Sequence, residues 1–127
     1  MLIPLALGAT SCRRAVFFPT WSYQDSGPLA IVGGVLVERD GCLFLSEGGE
    51  EILPVWDEVY AYSGGALVDQ HWSVVARVGD HVRGGGGYYA DRRFLEEDVI
   101  GREIPERCRP EGTEPYALIY DVERGEP

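Results

Sequence analysis

The sequence predicts an all-β domain, a small antiparallel barrel or sandwich of about six to eight short strands with at most one short helix. Three observations predict it. β-branched and aromatic runs recur at close spacing along the chain. Turn signals built from Gly, Asp and Pro separate them. Only one stretch has a composition that suits a helix.

The elements follow in order. Leu29 to Glu38 is β-branched and carries Gly33 and Gly34, which mark a bulge or bend inside a strand. Arg39-Asp40-Gly41 is a hairpin turn, and Cys42 to Leu45 is the returning strand. Glu47 to Glu50 turns the chain again, and Ile52 to Trp56 is a third strand. Pro54 places that strand at an edge or a bulge, because proline donates no ladder hydrogen bond. Asp57 to Tyr62 alternates, Gly64-Gly65 turns, and Ala66 to Val68 and Trp72 to Val78 are further strands. Gly79-Asp80 is a turn, Val82 continues briefly, and Gly84 to Gly87 reads as a flexible hairpin loop. Asp91 to Asp98 is the one helical candidate, with Asp91 as its cap and Pro105 stopping any continuation. Tyr116 to Val122 is the last strand, with Tyr116, Leu118, Tyr120 and Val122 on one face.

The chain has 127 residues, enough for one hydrophobic core. Its formal net charge is −10. Nucleic acid is excluded as an expected partner, because such affinity comes largely from Lys and Arg neutralising phosphates. An anionic membrane surface is a poor partner for the same reason. All eleven basic residues are Arg. They are scattered, which fits coding bias better than bidentate anion recognition.

Met1 to Ala9 is apolar and shorter than the about 20 residues of a membrane span. It reads as the end of a truncated signal segment, residues 1–12, running into a lipobox-like Cys12. Lipidation of Cys12 would then be the one route to a membrane. Ala9 stands where such signals usually carry Leu, and no positive charge precedes the run. The expected location is extracytoplasmic, with lipid anchoring to the cell envelope. The alternative is a cytoplasmic protein with an apolar first strand. Residues 13–28 read as a linker, 29–123 as the β domain and 124–127 as a tail.

With Cys12 as anchor, Cys42 and Cys108 remain as one pair, which suits an oxidising compartment. A disulfide closing so long a loop would contribute roughly 4 kcal/mol. The alternative is two unrelated buried thiols.

The succession Gly34–Val37, Gly41–Leu45, Leu53–Trp56, Val75–Gly86 and Ile104–Cys108 resembles a group of small bacterial exported domains. Those domains are OB-like antiparallel barrels of unassigned function. The resemblance spans about Ile31 to Val122. It implies an OB-like barrel and a Cys42–Cys108 disulfide, and it carries over no catalytic residue.

Several residues are candidates for chemistry. His71 and His81, with Asp69 and Asp80, offer the donor types of a metal site, and Asp69 and His71 share one strand face. The alternative is that Asp80 makes a turn and both histidines are surface residues. Ser63 and Ser73 are the nearest approach to a hydrolase nucleophile, without the Gly-x-Ser-x-Gly elbow. Arg83 to Tyr88 lacks the Lys and the following helix of a phosphate loop. Glu96 to Asp98 reads as a solvated acidic face. Among the many aromatic residues, Trp56, Tyr60, Trp72 and Tyr88 are the candidate ligand-binding rings, with core filling as the alternative. The expected function is a non-catalytic exported binding or structural module for a protein or small ligand, with no cofactor. The alternative is a small-ligand or metal-binding protein using His71, His81 and Asp69, and the third reading is a hydrolytic enzyme.

Overall fold

The computed structural model describes residues 15–23 and 29–125. Its strands are β1 (Thr20–Trp21), β2 (Ala30–Arg39), β3 (Cys42–Glu47), β4 (Glu50–Asp57), β5 (Ala61–Ser63), β6 (Ala66–Val68), β7 (Val74–Arg77), β8 (His81–Tyr89) and β9 (Tyr116–Arg124). Between β8 and β9 lie a short helix α1 (Arg92–Phe94), which widens into a π turn over Leu95–Ile100, and a 3-10 turn at Glu106–Cys108.

The expected all-β, OB-like antiparallel barrel is corrected. Among the described residues the fold is mixed α/β, with two separate sheets and one short helix. The larger sheet runs β1-β4-β3-β2-β8-β9, and β4 pairs with β9 as well. Two of its pairings, β1–β4 and β4–β9, are parallel. The second sheet is β5-β6-β7. The strand pattern misled because alternation reports which face is buried, not which strand lies alongside or in which direction.

Turn chemistry explains the local path. Arg39 pairs with Cys42 across Asp40 and Gly41, both at positive φ, which closes the β2–β3 hairpin. Gly34 marks the bend where β2 passes from β8 to β3. Its φ is +153°, and a Cβ there would lie 2.9 Å from the Ser46 carbonyl oxygen. Pro54 sits where its missing N–H is harmless. On one side of β4, Leu53 N–H bonds the Pro115 carbonyl; on the other, Trp56 N–H bonds the Pro19 carbonyl. Pro54 shares the direction of Trp56, and it faces the gap between the end of the β3 pairing at Ile52 and the start of the β1 pairing at Trp56.

Gly84–Gly87 is not a loop. All four glycines lie within β8, between β2 and β9. Gly84 and Gly86 are needed because the backbone of β9 approaches too closely for side chains. A Cβ on Gly86 would overlap the Leu118 carbonyl oxygen, and one on Gly84 would overlap that of Tyr120.

β3, β4 and β9 are buried on both faces, so the molecule has two cores. One gathers Val32, Leu36, Leu43, Leu45, Trp56, Leu67, Ala117 and Ile119. Sheet β5-β6-β7 covers it with Leu67 and Ala76. The other gathers Phe17, Cys42, Phe44, Leu53, Val55, Leu95, Ile104, Cys108, Tyr116 and Leu118. The helical stretch covers this one with Leu95, Ile104 and Cys108.

Three details hold the second cover in place. Asp91 caps α1 by accepting the Phe94 N–H at 3.1 Å, as its position in the sequence suggested. Glu96 accepts the Ile104 N–H at 2.8 Å and Arg92 Nη1 at 2.9 Å. Cys42 and Cys108 form a disulfide, with Cα atoms 5.5 Å apart and both residues fully buried. The alternative of two unrelated thiols is thereby removed.

The single face expected for Tyr116, Leu118, Tyr120 and Val122 is broken at Asp121. Its φ of 51° shifts the alternation, and Val122 joins the first core while Tyr116 and Leu118 stay in the second. Within the stretch read as a linker, Phe17 is buried, its N–H bonds the Gly41 carbonyl, and Thr20–Trp21 adds a strand to β4. Cys12 and the proposed signal segment lie outside the described residues.

Candidate functional site

The four aromatic residues singled out as ligand-binding rings occupy different environments. Trp56 is wholly buried and stacks on Phe18 with ring centroids 5.6 Å apart. Its Nε1 has no hydrogen-bond partner among the described residues. Tyr60 packs against the first core, and its hydroxyl accepts the Val122 N–H at 2.8 Å. These two rings are framework. Trp72 is 73% exposed, at φ 63°, in the turn between β6 and β7. Tyr88 alone of the four lines the groove described below.

The metal reading meets no support. Among the described residues no group of three or more His, Cys, Asp or Glu is placed to hold an ion. Asp69 Oδ1 accepts the backbone N–H of His71 at 2.8 Å and of Ser73 at 3.0 Å. Those bonds hold its carboxyl below the usual carboxylate range. It builds a turn, while Asp80, the turn aspartate of the alternative reading, accepts the Arg77 N–H at 2.9 Å. His71 and Ser73 are exposed in that turn, and Ser63 is exposed at the end of β5. His81 is half-buried, with Nε2 3.9 Å from a Glu47 carboxylate oxygen.

A concave surface lies elsewhere, apart from a separate cleft of 470 Å³ beside Phe18, Glu38 and Tyr62. Three clefts share Glu50 in their walls. The largest, 610 Å³, lies between β3–β4 and the loop after the 3-10 turn, and Arg39, Glu51, Arg109 and Glu111 line it. A second, 170 Å³, adds Ile52, Tyr88 and Glu114. A third, 180 Å³, is walled by Gly33, Leu45, Glu47, Ile52 and Tyr88. Together they form a groove from Arg39 past Glu50 to Tyr88.

Its electrostatics are one-sided. Glu47, Glu50, Glu51, Glu111 and Glu114 border it. The two cations are already engaged. Arg39 binds Glu51 through both Nη atoms, at 2.5 and 2.6 Å, and this holds the Glu51 carboxyl below its ordinary range. Arg109 Nε donates to the Ile104 carbonyl at 2.9 Å, and its Nη2 lies 3.9 Å from Glu96. Glu50, Glu111 and Glu114 form no ion pair among the described residues.

No family model, curated protein or solved structure matches the chain. The resemblance to exported OB-like barrel domains is therefore withdrawn. The motifs that carried it were turns and Gly-rich strands, whose chemistry recurs in unrelated β proteins.

The sequence reading missed the groove. In the sequence Glu47 to Glu50 reads only as a turn, and nothing local marks Arg109 to Pro115. Carboxylates from distant segments converge there, and no local spacing announces that. Tyr88 was the one residue flagged that lies in it.

Proposed function

We propose that this chain is a non-catalytic, exported binding module, closed by a disulfide and recognising a partner at its surface. The observation that carries this reading is the buried Cys42–Cys108 bond, which ties the helical cover to β3. Such bonds persist chiefly in oxidising compartments. The groove supports the binding half of the reading. It places an aromatic ring, Tyr88, and an apolar wall, Ile52, beside carboxylates without ionic partners, which is chemistry suited to recognition. Attachment to a membrane through Cys12 belongs to the same proposal.

The test is cell fractionation combined with intact mass of the native protein, without reductant. Recovery from the cell envelope or medium, with the 42–108 bond intact, supports the reading. A chain beginning at Cys12 with a lipid-sized addition supports the anchored form. Recovery of unmodified chain from the cytoplasm, with Met1 retained and free thiols, overturns it.

A further inference from the structure

Among the described residues, the outer edge of β2 carries no partner strand over its first half. β2 pairs with β8 from Ala30 to Val35, but with β3 only from Val35 onward. Leu36 N–H bonds the Asp80 carbonyl, on the β8 side. Bonding direction alternates along an antiparallel strand, so Ile31 and Gly33 direct their amide and carbonyl groups away from β8. Among the described residues no strand pairs with that side of Leu29–Gly33.

One side chain occupies the place of the absent strand. The Tyr88 hydroxyl donates to the Ile31 carbonyl at 3.4 Å. A residue of a parallel neighbouring strand would donate its N–H to that same carbonyl and accept from the amide two residues further on. Beside it, Leu29 is 90% exposed and Ile31 70% exposed. They are two residues apart and share a face. Facing Gly33 and Tyr88 across the cleft are Glu47 and Glu50.

We propose that the Leu29–Gly33 edge of β2 docks an extended peptide segment of a partner protein that carries basic side chains. The inference rests on the binding-module reading and names the partner that reading leaves open. Backbone pairing to Ile31 and Gly33 supplies the anchor, and Leu29 and Ile31 supply the apolar contact. Glu47 and Glu50 select the charge. A second copy of this chain is the wrong occupant, because it would bring its own net charge of −10 to a rim already acidic. The incoming strand takes over the bond now made by the Tyr88 hydroxyl, and Tyr88 guards the edge until it arrives.

The experiment is an amide-shift titration of the ¹⁵N-labelled full chain. One probe is the peptide acetyl-Val-Lys-Val-Lys-Val-Lys-amide, and the control is its Val-Glu counterpart. Binding of the Lys probe alone, with shifts centred on Leu29–Gly33, Glu47–Glu50 and Tyr88, is expected. Ile31→Arg, at an exposed position, is expected to weaken it by about tenfold, equivalent to about 1.4 kcal/mol. Tyr88→Phe frees the Ile31 carbonyl and is expected to tighten it. The site is overturned by no binding of the Lys probe, by equal binding of both probes, or by self-association of the chain through β2 at the same concentrations. Binding of the Lys probe on another surface overturns this site and leaves the binding-module reading standing. Recovery from the cytoplasm, in the fractionation above, removes that reading independently.

Discussion

The ring of Tyr120 lies against Gly85, so that a Cβ on Gly85 would stand 2.7 Å from Tyr120 Cζ. Tyr23 stacks on the Tyr120 ring at 4.1 Å between centroids, and Trp21 meets both edge-on. The glycines of β8 are therefore a seat. They let β9 close in on one flank and let an aromatic ring lie on the strand.

This makes the cost of added methyl groups position-dependent. Gly86→Ala drives a Cβ into the Leu118 carbonyl, which belongs to the backbone of a central strand. It is expected to cost about 3 kcal/mol or to prevent folding, at the upper end for overpacking. Gly48→Ala meets nothing within 4 Å, and only its φ of +60° opposes it. About 1 kcal/mol is expected there. Urea midpoints measure both. Equal costs would mean that β8 and β9 are not packed as described.

The disulfide ties β3 to the cover of the second core across a sequence separation of 66. Removing it with the paired Cys42→Ala and Cys108→Ala substitutions is expected to cost about 4 kcal/mol on the chain-entropy account. Because both cysteines are fully buried, dithiothreitol should reduce the native protein slowly and the urea-unfolded protein quickly. Thiol trapping over time reads the two rates, and equal rates would contradict the burial.

Two carboxylates are expected to respond to acid in opposite ways. Glu96 is held below the usual range, first by the Ile104 N–H and then by Arg92. Its contribution is present above the unfolded glutamate value of about 4.3 and is lost as pH falls below it. Glu96→Gln should lower the urea midpoint at pH 7 and flatten its fall in acid. Asp57 is pushed upward, mainly by burial, with Glu58 and Asp121 adding to it and the Val59 N–H opposing it. A raised folded value contributes stability at low pH that is lost as pH rises through it. Asp57→Asn should therefore raise the midpoint at pH 7. A fall on both substitutions would refute the assignment for Asp57.

The two tryptophans flagged as ligand-binding should separate in solution. Trp72 is exposed in its turn, so Trp72→Phe is expected to change stability by less than about 0.5 kcal/mol and to remove the fluorescence most readily quenched by acrylamide. Trp56→Ala opens a cavity in the first core and is expected to cost about 3–5 kcal/mol.

Much of the local structure was legible in the chain. The β2–β3 hairpin follows from Asp40-Gly41, the helix start from Asp91, and the tolerated proline in β4 from its lack of an N–H. These rest on the chemistry of one or a few neighbouring residues, and they hold wherever the segment is placed. The two-cysteine arithmetic also pointed to a pair, though the actual bond needed Cys42 and Cys108 to be brought within reach by β3 and the 3-10 turn.

What only the tertiary structure decided was every relation between distant segments. The parallel pairing of β4 with β9 overturned the antiparallel barrel. The glycine run became a strand because two neighbours crowd it, although its composition alone favours a flexible loop. The groove around Glu50 exists because the β3–β4 turn, the 109–115 loop and Tyr88 meet there. The physical reason is the same in each case. Backbone hydrogen bonds between strands and the approach of side chains across a sheet are set by long-range closure of the chain, and composition and periodicity carry only the local terms.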